Sequence, residues 1–167
     1  IRDRCLVSKD LEKRVQALED VIAIKNLKHT YLNACDAKDV ELMKTTLNAE
    51  HCEIDYGPVG KFNHRDDLVK LFTEVACHDF MLESHHAHNP IIDIIDGANA
   101  SGEWTLTYSL INTKDNSIVT LQGRYIDEYL KIDDQWVISK TQFIGKSSLN
   151  LQFENELLKV IFAGSPS

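Results

Sequence analysis

The sequence predicts an α+β fold: three N-terminal helices packed in a strongly curved mixed or antiparallel sheet, a cone-shaped α+β barrel. Three observations carry this. Helical periodicity dominates the first 75 residues and strand-like alternation the rest, so helices and strands are segregated along the chain. The strand-like segments are long and joined by short Asp/Asn/Gly turns, the pattern of an antiparallel meander. Gly102 and Gly123 interrupt two of them where a curving sheet needs bulges or bends.

Taken in order, Ser8 is placed to cap a first helix, with Asp10 and Glu12 complementing its dipole. Leu11, Val15, Leu18, Val21, Ile22, Leu27 and Tyr31 then recur at helical spacing, giving one helix from about residue 9 to about residue 36, with a bend expected near Asp20 and a sparsely apolar start that projects as an arm. Asp39 caps a second helix from Val40 to about Leu47. Cys52 to Tyr56 reads as a strand, 57–60 (Gly-Pro-Val-Gly) as a turn, and Lys61-Phe62 as a short return strand. Asn63 is expected to cap a third helix, about His64 to Val75, with Leu68, Leu71 and Phe72 as its stripe.

Phe80 to His88 and Ile91 to Ile95 read as two strands separated by Asn89-Pro90. Ala100 to Asn112 follows, with Trp104, Leu106 and Tyr108 on one face. Then come Ile118 to Tyr129, a turn at 131–134, and a last strand from Gln135 to Ile144. Residues 147–167 read as a tail with an amphipathic segment at Leu149, Phe153, Leu157, Val160 and Ile161. With 167 residues and no linker or repeat, a single domain is expected, its core at about 12–148 and its tail at 149–167.

A net charge of −8 argues against nucleic acid or an anionic membrane as partner, since both demand a basic surface. No uncharged run approaches the ~20 residues that span a bilayer. No secretory signal is visible, and Cys5, Cys35, Cys52 and Cys77 lack a regular spacing, so reduced thiols in a cytoplasmic protein are expected.

Two polar islands remain. One is Tyr31-Leu32-Asn33-Ala34-Cys35-Asp36 at a helix end; the other is Ser84-His85-His86-Ala87-His88-Asn89-Pro90 on a strand. Asp36 read alone also fits a helix-terminal turn before the Asp39 cap, and His85 alone a solvated side chain. His78, Asp79, His85, His86 and His88 lack the spacing of a metal site, because His86 and His88 share a strand face that His85 does not. No metal and no cofactor are expected.

The order of these elements, together with the segment from Gly123-Arg124-Tyr125-Ile126-Asp127-Glu128-Tyr129 to Trp136, resembles the SnoaL-like group of the cone fold shared with nuclear transport factor and ketosteroid isomerase. Within that group it is most similar to scytalone dehydratase, the bile-acid dehydratases and a hexachlorocyclohexane dehydrochlorinase. The resemblance implies a catalytic histidine at His85, held by an aspartate at Asp36, and a pocket tyrosine at Tyr31. A pocket aspartate of the bile-acid enzymes falls on Tyr108, and a basic residue of their last strand on Gly145, beside Lys146. Both changes argue against a bile-acid substrate.

In this reading, His85 takes a proton while Asp36 fixes its tautomer, and Tyr31 and Tyr108 donate hydrogen bonds to a leaving oxygen or enolate. Tyr56, Phe72, Trp104 and Leu106 line an apolar pocket suited to a small, hydrophobic, ring-shaped substrate. A cofactor-independent lyase of dehydratase type follows, with an isomerase or cyclase of polyketide or terpenoid metabolism, or a non-catalytic binder, as alternatives. Tyr31 and Asp36 lie about 140° apart on an ideal helix, so they are expected to share a pocket only if the helix ends or unwinds before Asp36. The resemblance also implies a homo-oligomer, a trimer ahead of a dimer.

Overall fold

The computed structural model describes residues 2–154 and residue 159, with side chains from residue 9 onward. Helices α1 (Arg2–Ala37) and α2 (Val40–Thr45) come first. Strand β1 (Glu53–Asp55), a 3-10 turn at Gly57–Val59, strand β2 (Lys61–Phe62) and helix α3 (Arg65–Val75) follow. Four long strands complete the chain: β3 (Met81–Ile94), β4 (Asn99–Asn112), β5 (Ser117–Ile132) and β6 (Gln135–Gln152). They form one six-stranded sheet in the order β2-β1-β6-β5-β4-β3, antiparallel except where β1 runs parallel to β6. The helices pack against this open, mixed sheet, as expected of the cone-shaped α+β class.

α1 is one continuous helix, but as far as Ile22 the side it buries is not its apolar stripe. Leu11, Val15, Leu18 and Ile22 are 44–65% exposed, whereas Asp20, Ile24, Lys28, Tyr31 and Leu32 are buried. Asp20 makes this face possible by anchoring α1 to the β5–β6 hairpin: its Oδ1 accepts from Lys131 Nζ and Trp136 Nε1, both at 2.9 Å, and from Gln16 Nε2. A few residues on, the Lys28 ammonium lies 2.8 Å from Asp127, both side chains wholly buried, and over the Tyr125 ring.

Asp39 caps α2, accepting from the Leu42 amide. The cap position of α3 is His64 rather than Asn63, and its side chain makes no capping bond. The two strands expected around Asn89-Pro90 are one strand, β3, whose register shifts between His88 and Ile91. β3 is the sheet's edge, where the missing proline N–H breaks no ladder, and Asn89 takes the positive φ the bulge requires.

Gly123 sits at a second register shift, opposite Gly145. A Cβ there would lie 2.4 Å from the Ile144 carbonyl oxygen, so β5 and β6 approach more closely than any side chain allows. β6 runs on to Gln152, so Ser147 to Gln152 belong to the sheet rather than to a separate tail. Leu157, Val160 and Ile161 lie outside the described residues.

Candidate active site

The end of α1 sets the geometry. The Asp39 amide donates to Ala34 O and the Lys38 amide to Cys35 O, the paired bonds of a Schellman cap. Lys38 occupies the left-handed position of that cap, at φ 60°. α1 therefore stays helical through Asp36, without the unwinding that a pocket shared by Tyr31 and Asp36 would require, and turns sharply at Lys38.

Asp36 faces β3. An edge strand offers unpaired amides, and Asp36 takes one: its Oδ2 accepts from the His85 backbone N–H at 3.0 Å, while its Oδ1 lies 2.6 Å from His85 Nδ1. A carboxylate only accepts, so Nδ1 carries a hydrogen and, in the neutral ring, Nε2 bears the free lone pair. Two contacts from one carboxylate fix both the strand position and the ring orientation of His85.

The His85 ring borders a cavity of about 470 Å³. Its walls come from α1 (Tyr31, Leu32, Cys35), α2 (Met43), the 57–60 turn, α3 (Leu68, Leu71, Phe72, Val75) and the inner faces of β3 to β6 (Glu83, Leu106, Tyr108, Leu121, Tyr125, Phe143, Gly145). Most of these are apolar or aromatic. Among the described residues, no lysine or arginine lines it.

Two phenol clusters flank the space. Tyr31 and Tyr56 share a hydrogen bond at 2.7 Å between their hydroxyls, and Tyr125 packs edge-on to Tyr56. Burial, together with the neighbouring phenols, pushes the Tyr31 hydroxyl well above its usual range; burial also raises Tyr56. Both stay neutral, and the two phenols, sharing one hydrogen between them, carry one more, with the Cys35 thiol beside Tyr31 and the Thr141 hydroxyl beside Tyr56. On the other side, Tyr108 lies tilted against the His85 ring, centroids 4.6 Å apart, and donates its hydroxyl hydrogen to Glu83 Oε1 at 2.8 Å. Burial and the Asp36 charge raise Tyr108 as well. Glu83 Oε2 is paired in turn with Lys38 Nζ, both side chains nearly buried. Cys35 is pushed up to about 12, by burial and then by the Asp36 charge, so it remains a thiol.

Of the residues expected at the site, the structure brings Tyr31, Tyr56, Phe72, Leu106, Tyr108 and His85 to one cavity, and Asp36 behind His85. Trp104 is not among them. It shares a strand face with Leu106 and Tyr108 but lies about 13 Å along β4 from Tyr108. There it is buried in the core, its Nε1 donating to Tyr129 Oη, which donates to Asp127. Tyr108 departs from expectation too: its hydrogen is committed to Glu83. Of the other histidines, His86 bonds Ser84 and stacks on His88, and both are exposed. Among the described residues, no group of three or more His, Cys, Asp or Glu side chains is arranged to hold a metal.

Residues 16–142 match the SnoaL-like domain family. The chain belongs to the SnoaL-like family. Solved structures agree on the fold. A candidate scytalone dehydratase from Novosphingobium aromaticivorans superposes with a TM-score of 0.76 at 22% identity, over 84% of this chain and 93% of its own. A type 2 hexachlorocyclohexane dehydrochlorinase, LinA, gives 0.76 at 15% identity, over 87% and 99%. The type 3 dehydrochlorinase from Novosphingobium barchaimii gives 0.74 at 16% identity, over 83% and 94%. At these identities the likeness is one of fold.

Within this SnoaL-like chain, sequence reasoning passed over Glu83, Lys38, Met43, Leu121 and Phe143. Glu83 had a signal: two residues before His85 on a strand, it must share that residue's face. Lys38 had none, because its approach to Glu83 depends on a left-handed turn that its residue type does not advertise.

Proposed function

We propose that this SnoaL-like protein is a cofactor-independent lyase of dehydratase type, acting on a small, hydrophobic, cyclic substrate in the His85 cavity. The observation that carries the reading is the two-point grip of Asp36 on His85, which leaves the second ring nitrogen for the cavity. His85 Nε2 is the base, Asp36 orients it and stabilises the imidazolium, and the spare hydrogen of the Tyr31–Tyr56 pair holds a carbonyl or enolate oxygen. Base, orienting carboxylate, donor and an apolar cavity of the right size are all supplied by side chains. The related structures named as a dehydratase and dehydrochlorinases support elimination over other proton transfers on this scaffold.

The test uses 3-hydroxy-1-decalone, a bicyclic β-hydroxy ketone, followed by the ultraviolet absorbance of the conjugated enone and by loss of water in the mass spectrum. His85→Ala lowers turnover roughly 10²–10⁴-fold with an unchanged circular dichroism spectrum; undiminished turnover removes His85 as the base. A product isomeric with the substrate, rather than dehydrated, moves the assignment to an isomerase or cyclase. We further propose a cytoplasmic homotrimer. Exposed Leu149 and Leu151 on β6 and the free thiols of Cys35, Cys52 and Cys77 support this, and a solution mass of one chain refutes the trimer.

A further inference from the structure

We infer that the cavity wall beside His85 selects a substrate whose departing group is a hydroxyl rather than a halide, and that Glu83 is the residue that makes the selection. This rests on reading the cavity as the active site, but concerns what is recognised there rather than which residue is the base.

The groups next to the His85 ring all accept hydrogen bonds. Nδ1–H is held by Asp36, so Nε2 faces the cavity as an acceptor. Tyr108 has one hydrogen and directs it to Glu83, so its oxygen can only accept. Glu83 lines the cavity with its side chain 93% buried, and it is ion-paired with Lys38 Nζ, which touches it from outside the cavity lining. A substrate hydroxyl is a donor as well as an acceptor and can satisfy this wall. A carbon-bound chloride carries only lone pairs there.

The leaving step fits the same wall: a hydroxyl leaves as water, which can donate to these acceptors, whereas a halide ion has no hydrogen to offer them. His85 Nε2 takes the proton from the carbon next to the carbonyl, and the C–H electrons become the new double bond. The C–O bond breaks with its electrons going to oxygen, and the imidazolium returns the same proton to that oxygen. Donation of the hydroxyl hydrogen to the Glu83–Tyr108 wall makes the oxygen more basic, which assists the last transfer. The sum is substrate to alkene plus water, with His85 restored.

The experiment compares binding of 2-tetralol, 2-chlorotetralin and tetralin by equilibrium dialysis, which needs no turnover. The wild-type protein is expected to bind the alcohol about tenfold more tightly than the chloride, the size of one hydrogen bond to a charged acceptor. Lys38→Met/Glu83→Leu removes both charges together, so neither is left buried alone. It should bring the two affinities within about threefold, and Lys38→Leu/Glu83→Met, a second neutral pair without an acceptor, carries the same expectation if the first double variant does not fold. His85→Ala should keep the alcohol preference while losing turnover, which separates this inference from the identity of the base. Equal wild-type affinities, a preference that survives loss of Glu83, or one that disappears with His85 alone would each overturn it.

Discussion

Replacing Asp36 by asparagine tests the His85 geometry most directly, because the amide offers one acceptor where the carboxylate offers two. If the amide oxygen stays on Nδ1–H, the amide NH2 meets the His85 backbone N–H, donor against donor, and an edge-strand amide loses its partner. If the oxygen stays on the backbone N–H, the NH2 donates to Nδ1, and the ring hydrogen moves to Nε2. The second arrangement keeps both hydrogen bonds, so it is favoured by the cost of one unmade bond, about 2 kcal/mol. That corresponds to roughly 30 molecules in the wrong tautomer for each in the right one. Turnover therefore falls at least about 30-fold from the tautomer alone. It falls towards about 10⁴-fold as the imidazolium also loses its carboxylate, the size seen when other histidine–carboxylate pairs are made amides.

Stability should move little. The charged contacts become neutral ones, but Asp36 also sits at the negative end of α1, where removing its charge recovers about 0.3–1 kcal/mol. The assay pairs turnover of 3-hydroxy-1-decalone with ¹⁵N NMR of the His85 ring, which reads the tautomer without substrate. An Asp36→Asn protein with wild-type turnover and hydrogen still on Nδ1 refutes the reasoning.

The scaffold gives three further expectations. Burial raises Asp20, but the bonds from Lys131, Trp136 and Gln16 outweigh it and hold the carboxyl below its usual range. Its folded value is thus below its unfolded one, and its contribution is full above about pH 4 and lost as pH falls through the lower folded value. Asp20→Asn should cost about 1.5–3 kcal/mol in urea unfolding at pH 7 and clearly less at pH 3; an equal deficit at both pH values contradicts the assignment. Gly123→Ala should cost about 1–3 kcal/mol by the same measurement, since its Cβ meets backbone at 2.4 Å, and wild-type stability would mean the bulge relaxes freely. Lys28→Met should cost about 3–5 kcal/mol because it strands Asp127, and combining it with Asp127→Asn should cost less than the sum of the two; additive losses would show the pair is uncoupled.

What could be read in advance follows physical lines. The strand alternation of β4 and β5 was plain because one face is buried and the other wet, and register follows from that. α1 misled over its first half because Leu11, Val15, Leu18 and Ile22 form an apolar stripe on the exposed side, while the buried side carries Asp20 and then Lys28, residues that only tertiary partners make tolerable. Asn89-Pro90 looked like a break because proline usually ends a strand, and only the edge position of β3 lets it pass. Leu149, Leu151 and Phe153 alternate with polar residues, a strand period, yet Leu157 and Val160 beyond them blurred it into a helical one. At the site, Asp36 and His85 came from family resemblance. Glu83 was available from strand geometry, but its partner was not.

That partner shows how local rules and the site diverge. Among the described residues, five non-glycine residues have positive φ: Lys38, Asn89, Asn116, Asp133 and Asp134. Four are Asn or Asp, whose short polar side chains tolerate the left-handed region. Lys38 has no such excuse, and a glycine at its position would close the Schellman cap without the roughly 1–2 kcal/mol that a side chain costs there. Two residues earlier, Asp36 lies against the helix dipole. Both choices are locally unfavourable, and both are made at the point where α1 meets the cavity strand. Each has the same kind of compensation: Asp36 holds His85, and Lys38 holds Glu83, its neighbour two residues away on the same face of β3. Conflict between local preference and observed residue collects at functional positions. By that criterion Glu83, with Lys38 behind it, stands with His85, and Asp36 behind that, in the proposed working surface of the cavity.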